Sequence, residues 1–359
     1  MNVGSFLLKL GISLYCLQFL SMNILELKAF QVVPRKFSLG GRLLTSSNQL
    51  SFSFQILRSA PQPQRCYSKT KIVLRASGEV PFKLQSSGWM IPHPEKARTG
   101  GEDAYFVSPL DLGIFDGVGG WATLGIDTSL YSRKLAKLTC KNLLKQRKEG
   151  KSEVDIIQAM EVALEENNHI GSTTACVVSY DEEKNVMHGA NLGDSGALVL
   201  RRDVRGDFFV LVKTKTQEHG FNFPYQLGTN CSDTPQMAER FSFVPMEGDT
   251  IILGTDGVLD NMFDQDILKC AVETLNSCKP SAIESCAKRC CEMAFNISID
   301  RERNTPWEEG ARKAGKLKKQ WTGTSGIMKE FEQQRILSVY TGGKMDDITV
   351  VAARFVAPS

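Results

Sequence analysis

Gly113-Ile114-Phe115-Asp116-Gly117-Val118-Gly119-Gly120-Trp121 is an apolar run that ends on a carboxylate and breaks into glycines. Residues 112–115 read as a short strand. The Asp-Gly that follows lets the backbone turn and pass close to whatever the carboxylate holds. The same pattern recurs at Asn191-Leu192-Gly193-Asp194-Ser195-Gly196 and at Ile252-Leu253-Gly254-Thr255-Asp256-Gly257. Asp346-Asp347 precedes a last apolar run from Ile348, and Glu102-Asp103 precedes a first one near Tyr105. A single Asp-Gly is ordinarily a turn, with Asp bonding its own backbone. Acids at five such places, if their strand ends share one edge of a sandwich, form a converging set. Converging carboxylates repel one another unless a cation lies between them. An oxygen-only donor set suits Mg²⁺ or Mn²⁺ rather than Zn²⁺. Two such ions, ~3.5–4 Å apart, clamp a phosphoryl group.

Outward from these strand ends, the apolar pattern predicts strands at 105–108, 112–115, 173–179, 186–190, 197–200, 208–213, 250–254 and 348–355. It predicts amphipathic helices at 128–144 and 153–165, separated by Gly150, and a second pair at 266–275 and 282–295. Strands in runs and helices in pairs do not alternate as in a doubly wound sheet. They predict an α+β fold: an antiparallel β-sandwich flanked on both sides by helix pairs, with 173–213 running as a meander. Residues 300–345 read as a long connection, strongly basic at 316–320.

The chain has 359 residues, 42% of them apolar and 23% charged, enough for a sizeable core and too apolar for a disordered chain. Its net charge of +3 hides two opposite parts. Residues 1–78 carry ten Lys/Arg and one acid, while 79–359 carry 33 basic and 39 acidic residues, a net of −6. The leader, 1–76, is basic, Ser-rich and almost free of acids, as organelle transit peptides are. Its uncharged stretch from Leu10 to Leu25 is shorter than the ~20 apolar residues of a membrane span. A working chain of net −6 gives no reason to expect a nucleic-acid partner. The ten cysteines form no Cys-x-x-Cys pair, and Cys286 and Cys290 read as small buried residues of one helix. The four histidines match no triad or His-Glu-x-x-His pattern.

Taken in order, Arg98-Thr-Gly-Gly-Glu102-Asp103, Phe115-Asp116-Gly117-Val-Gly-Gly-Trp121, Gly171-Ser172-Thr173-Thr174, Gly193-Asp194-Ser195, Thr255-Asp256-Gly257 and Asp346-Asp347-Ile348-Thr349-Val350 resemble the metal-dependent serine/threonine phosphatases of type 2C. The resemblance covers about 80–356. His219-Gly-Phe-Asn-Phe-Pro224-Tyr-Gln226-Leu is similar to the organellar subgroup. The resemblance implies two Mg²⁺ or Mn²⁺ ions and a third, weaker one. Asp116 would bridge the two, with the Gly117 carbonyl and Glu102 on one ion and Asp256 and Asp346 on the other. Asp347 is a secondary candidate, and Asp194 matches the third site. Arg98 matches the phosphate-binding arginine, whose planar fork suits phosphate oxygens. The implied reaction is hydrolysis of phosphoserine and phosphothreonine by a hydroxide bridging the metals.

The implied partners are phosphoproteins, with thylakoid proteins such as photosystem II core subunits among them. The implied protein is a monomer with no membrane span, sited in the chloroplast stroma or at the thylakoid surface, with the mitochondrion as the alternative. A non-catalytic phosphoprotein-binding role on the same fold is the other reading. Two departures stand out. Val118 occupies a position where many members carry a histidine near the leaving group, and 316–340 reads as an insertion.

Overall fold

Residues 81–151, 153–276, 279–316 and 340–358 are described by the computed structural model of the chain. The expected leader, 1–76, and nearly all of the expected insertion, 316–340, lie outside them.

Ten strands build two five-stranded sheets. They are β1 (Lys83–Ile91), β2 (Ala104–Val107), β3 (Asp111–Phe115), β4 (Ala175–Asp181), β5 (Val186–Leu192), β6 (Gly196–Arg202), β7 (Phe208–Lys213), β8 (Glu239–Phe243), β9 (Thr250–Gly254) and β10 (Ile348–Val356). One sheet has the order β1-β10-β9-β6-β7 and the other β8-β5-β4-β3-β2, and every pairing between neighbours is antiparallel. Strand side chains alternate between faces, so each sheet offers two apolar faces. Leu112, Ile114, Val178, Tyr180 and Met187 meet Val199, Ile251, Leu253, Val351 and Phe355 between the sheets. The phenyl ring of Phe355 packs edge-on against Tyr180, with centroids 5.2 Å apart.

The outer faces are covered by helices. α1 (Ser129–Lys148) and α2 (Ile156–Glu166) lay Leu135, Leu138, Leu143, Ile157 and Met160 on Phe115, Val177 and Leu192. α2 begins at Asp155, whose side chain accepts from the Gln158 N–H and so satisfies one of the open donors of the first turn. On the other side, α3 (Asp264–Thr274) and α4 (Ser281–Ser298) pack on Leu198, Ile252, Val350 and Ala352. Ile283, Cys286, Ala287, Cys290, Ala294 and Ile297 fall at helical spacing along α4 and are all buried. Cys286 and Cys290 are therefore core residues, as their position on one helix stripe suggested.

The layers are helix, sheet, sheet, helix, the sandwich that the strand and helix pattern predicted. The meander expected across 173–213 is interrupted. β4–β5 is a hairpin in one sheet and β6–β7 a hairpin in the other, and the chain crosses between them at Gly193-Asp194-Ser195. That crossing carries Asp194 to the sandwich edge where β3 and β9 end. Among the elements absent from the sequence prediction are β1, β8 and a helix α5 (Pro306–Lys313) within 300–345.

Candidate metal centre

β3 delivers Asp116, and its backbone is held by the segment that leads into the neighbouring strand β4. The Asp116 carbonyl accepts from the Thr174 N–H (2.9 Å) and from Thr173 Oγ1 (2.7 Å). Gly117 then pairs with Thr173 in an isolated bridge. A Cβ on Gly117 would sit 2.6 Å from the Glu102 carbonyl oxygen, so only glycine allows this approach. β9 delivers Asp256 as the first residue of a single helical turn, Asp256–Leu259. A Cβ on Gly257 would sit 2.0 Å from the Asp347 carbonyl oxygen. The Asp-Gly pairs thus let two chain segments touch directly behind the carboxylates.

Asp116, Asp194 and Asp256 come together, each offering an oxygen within 4.8 Å of the others. Oδ1 of Asp194 and Oδ1 of Asp256 are buried with no hydrogen-bond partner among the described residues. Open carboxylate oxygens aimed at one another fit a hard divalent cation, which takes oxygen ligands and neutralises them. The donor set therefore fits Mg²⁺ or Mn²⁺. The three line a cleft of about 890 Å³ together with Gly117, Lys96, Lys344 and Asp346.

The other expected ligands are placed less directly. Asp346 faces the cleft and shares the Lys344 ammonium with Asp256; its Oδ2 is 3.3 Å from Lys344 Nζ. Glu102 is nearly buried, and Lys96 Nζ lies 2.5 Å from its Oε2. Asp347 is a brace. Its Oδ1 accepts from the His93 N–H at 2.7 Å and its Oδ2 from the Glu102 N–H at 2.8 Å. Asp103, buried behind them, accepts from Thr255 Oγ1 (3.0 Å) and Thr349 Oγ1 (2.6 Å) and so ties the ends of β9 and β10 together. Asp194, expected apart at a third site, stands in the same cluster as Asp116 and Asp256.

Arg98 lies elsewhere. It is exposed on the turn after a short 3₁₀ segment, Pro94–Lys96, and is outside the cleft lining. Arg133 of α1 bonds the carbonyls of Thr99 (2.8 Å) and Gly101 (2.9 Å), fixing the loop with Lys96 turned inward. The cation facing the cleft at this position is thus a lysine two residues earlier.

Sequence reasoning missed Lys96, Lys344 and Asp260. Lys344 Nζ bonds Asp256 and Asp260, the latter at 2.9 Å. Burial pulls the Lys344 ammonium down, but the charges of Asp256, Asp260 and Asp346 outweigh it and hold the pKa well above the ordinary lysine value. Lys96 is raised in the same way, burial being overcome by its bond to Glu102 and by Asp347. The only sequence signal for either lysine is its closeness to an acid that needs a counter-charge. The motif 219–227 was read only as a subgroup mark, and the structure makes it a cleft wall. It folds into a small ribbon, Glu218–Gly220 with Phe223–Pro224, and His219, Asn222, Phe223 and Gln226 line the cleft. Gln226 accepts from Ser172 Oγ (2.6 Å), which itself accepts from the Trp121 indole N–H (2.7 Å). His219 stacks on Tyr225 and holds Asp233 through Nε2 at 2.9 Å.

Burial, and after it the charge of Asp256, holds Asp116, Asp194 and Asp346 above the usual carboxylate range; burial and Asp347 do the same for Asp103. A folded chain whose acids have raised pKa values binds protons that the unfolded chain releases. Stability then falls as pH rises above the unfolded carboxylate value of about 4. A bound divalent cation removes that penalty. In EDTA the melting temperature is expected to fall from about pH 5 to about pH 8, and millimolar Mg²⁺ or Mn²⁺ is expected to flatten the fall. Thermal melts with and without metal read this directly. A metal-free melting temperature that rises across that window contradicts the assigned carboxylate cluster.

Together, these features define a hard-cation centre at one edge of an antiparallel sandwich. No family model matches the chain. A rice protein, probable protein phosphatase 2C 1, is 33% identical over 300 residues, covering 82% of each chain. Probable protein phosphatase 2C 80 of Arabidopsis thaliana is 33% identical over 275 residues, 76% of this chain and 58% of its own length. The solved structure of the photosystem II phosphatase PBCP is 31% identical with a TM-score of 0.62, covering 77% of this chain and 100% of that one. The chain belongs to the protein phosphatase 2C family. It spans about half the length of several of the curated relatives it matches, among them probable protein phosphatase 2C 55 of Arabidopsis thaliana, at 53%. Among the described residues no helix is long and apolar enough to cross a membrane.

Proposed function

We propose that the chain is a metal-dependent phosphoserine/phosphothreonine protein phosphatase. The observation that carries this is the meeting of Asp116, Asp194 and Asp256, with unpartnered oxygens, in a cleft open to a large substrate. When bound, Mg²⁺ or Mn²⁺ supplies charge neutralisation on phosphoryl oxygens and an activated water. Asp116, Asp256, Asp346, Glu102 and the Gly117 carbonyl hold the ions, with Asp194 on the same cluster. Asp347 and Asp103 keep the strand ends in place. Lys96 and Lys344 keep the carboxylates paired until the ions arrive. Lys96 lines the cleft and would donate to a phosphate oxygen there. The ribbon at 218–224 and Trp121 shape the wall against which a peptide lies.

The role expected of Arg98 therefore passes to Lys96. Lys96→Ala is expected to raise KM for a phosphothreonine peptide about tenfold, the effect of one charge-assisted bond of roughly 1.5 kcal/mol. Arg98→Ala is expected to change it by less than about twofold. Steady-state kinetics of both variants decide between them, and the reverse order restores Arg98.

The likeness to PBCP and the basic leader support a chloroplast enzyme acting on thylakoid phosphoproteins, photosystem II core subunits among them. The test incubates the protein and Mg²⁺ with phosphorylated thylakoid membranes and follows phosphothreonine on each protein. Loss of label from core subunits supports the assignment. Label that persists there while a free phosphopeptide is hydrolysed rejects the substrate and keeps the chemistry.

A further inference from the structure

A second group of metal-capable side chains lies at the other end of β4 and β5. Asp181 ends β4, His188 lies on β5, and Glu153 lies between α1 and α2. Each offers a ligand atom within 4.8 Å of the other two. The pairing explains why they meet. Ser179 faces His188 and Asp181 faces Val186 across the hairpin, so Asp181 and His188 project diagonally from the face that α1 and α2 cover. Glu153 closes the group from the linker just ahead of α2. His188 comes six residues before Asp194 on an extended strand, which separates this group from the carboxylate cleft by about 20 Å.

Two atoms here lack the partners that burial demands. The Asp181 side chain is fully buried. Its Oδ1 accepts from the Glu183 and Lys184 N–H groups, both at 3.0 Å, which fixes the carboxylate, but Oδ2 accepts no hydrogen bond among the described residues. Nε2 of His188 is also buried with no hydrogen-bond partner among the described residues. The nearby cation, Lys184, bonds Glu153 and stays 3.8 Å from Asp181 Oδ2, beyond hydrogen-bond reach. A buried polar atom left open costs about 1–3 kcal/mol. A divalent ion held by Asp181 Oδ2 and His188 Nε2 would satisfy both.

We propose that Glu153, Asp181 and His188 form a Zn²⁺ site separate from the carboxylate centre. The imidazole sets the metal. One nitrogen and two carboxylate oxygens with an open fourth position suit zinc, whereas the oxygen-only centre suits Mg²⁺ or Mn²⁺. The ion ties the α1–α2 linker to the β4–β5 hairpin and displaces the Lys184 ammonium from Glu153. A cleft of about 490 Å³ beside it, lined by Glu153, His188, Arg240 and Phe241, gives the ion access from solvent.

The test titrates the full chain with Zn²⁺ in millimolar Mg²⁺, against a chromophoric chelator, and repeats the titration with Co²⁺ to read imidazole ligation from its visible bands. His188→Gln is expected to lose one equivalent of Zn²⁺ and the nitrogen-ligand band, while phosphatase activity stays unchanged. Glu153→Gln, in an exposed linker where folding is not at stake, is expected to weaken that equivalent at least about tenfold. Lys184→Met removes the competing ammonium and is expected to tighten it. Wild type and both ligand variants taking up the same number of equivalents with the same affinity overturns the site.

Discussion

Asp116→Asn is expected to lower kcat on a phosphothreonine peptide by on the order of 10³-fold while leaving the protein folded. The scale is that of removing a group that organises charge at the reacting centre. The amide keeps the shape of the side chain, so the bonds from Thr173 and Thr174 to the Asp116 carbonyl survive. What is lost is a negative charge that burial and Asp256 already disfavour. The metal-free variant should therefore melt higher than the metal-free wild type, by about 2–4 °C for each kcal/mol relieved. The rise in melting temperature that Mn²⁺ gives the wild type should shrink. Turnover assays and paired melts in EDTA and Mn²⁺ check both halves. A variant that keeps more than about a tenth of wild-type kcat contradicts the role of Asp116.

Asp111→Ala is expected to do the opposite. Asp111 starts the strand that delivers Asp116, and it is fully buried on the α1 side. It accepts from Arg147 Nε (3.0 Å) and Nη2 (2.6 Å), from Ser179 Oγ (2.7 Å) and from Ser108 Oγ (3.2 Å). Removing one partner of a buried ion pair leaves the other charge desolvated, at about 3–5 kcal/mol. At roughly 2–4 °C per kcal/mol for a domain of this size, the melting temperature should drop by about 6–20 °C. The carboxylate cleft lies about 16 Å away along the strand, so kcat measured well below the transition should hold. Circular dichroism melts and kinetics at low temperature read the two separately. An unchanged melting temperature would show that Arg147 and the two serines do not depend on this carboxylate.

Much of the scaffold was legible because its strands alternate cleanly and its helices carry apolar stripes. The two β-strands at 208–213 and 250–254 match their predicted bounds. β1 was hidden because Ser86-Ser87-Gly88 dilutes its pattern; it is an edge strand, half-buried and paired along its length with β10. β8 is the edge strand of the other sheet, and its Glu239, Arg240 and Ser242 masked it in the same way. α5 had a signal that was passed over: Thr305 caps the Glu308 N–H and Pro306 takes the first turn, the Thr-x-x-Glu signature of a helix start.

At the site, Asp116, Asp194 and Asp256 were readable because each needs a glycine beside it for close backbone approach. The cations were not. Lys96 and Lys344 reach the carboxylates through folded loops, and nothing in their local spacing says which way a long flexible side chain will point. Arg98 shows the same limit from the other side: a motif position near the right acid whose side chain the turn leaves in solvent. Asp346 and Asp347 are adjacent, yet only the register of β10 decides that one faces the cleft and the other braces the His93 and Glu102 backbone.

The most direct measurement follows inorganic phosphate released from a phosphothreonine peptide by the full chain in Mn²⁺, then in excess EDTA, then with Mn²⁺ restored. The account predicts turnover that stops on chelation and returns with metal. Turnover that continues in EDTA, or tight peptide binding with no phosphate released at saturating Mn²⁺, contradicts it.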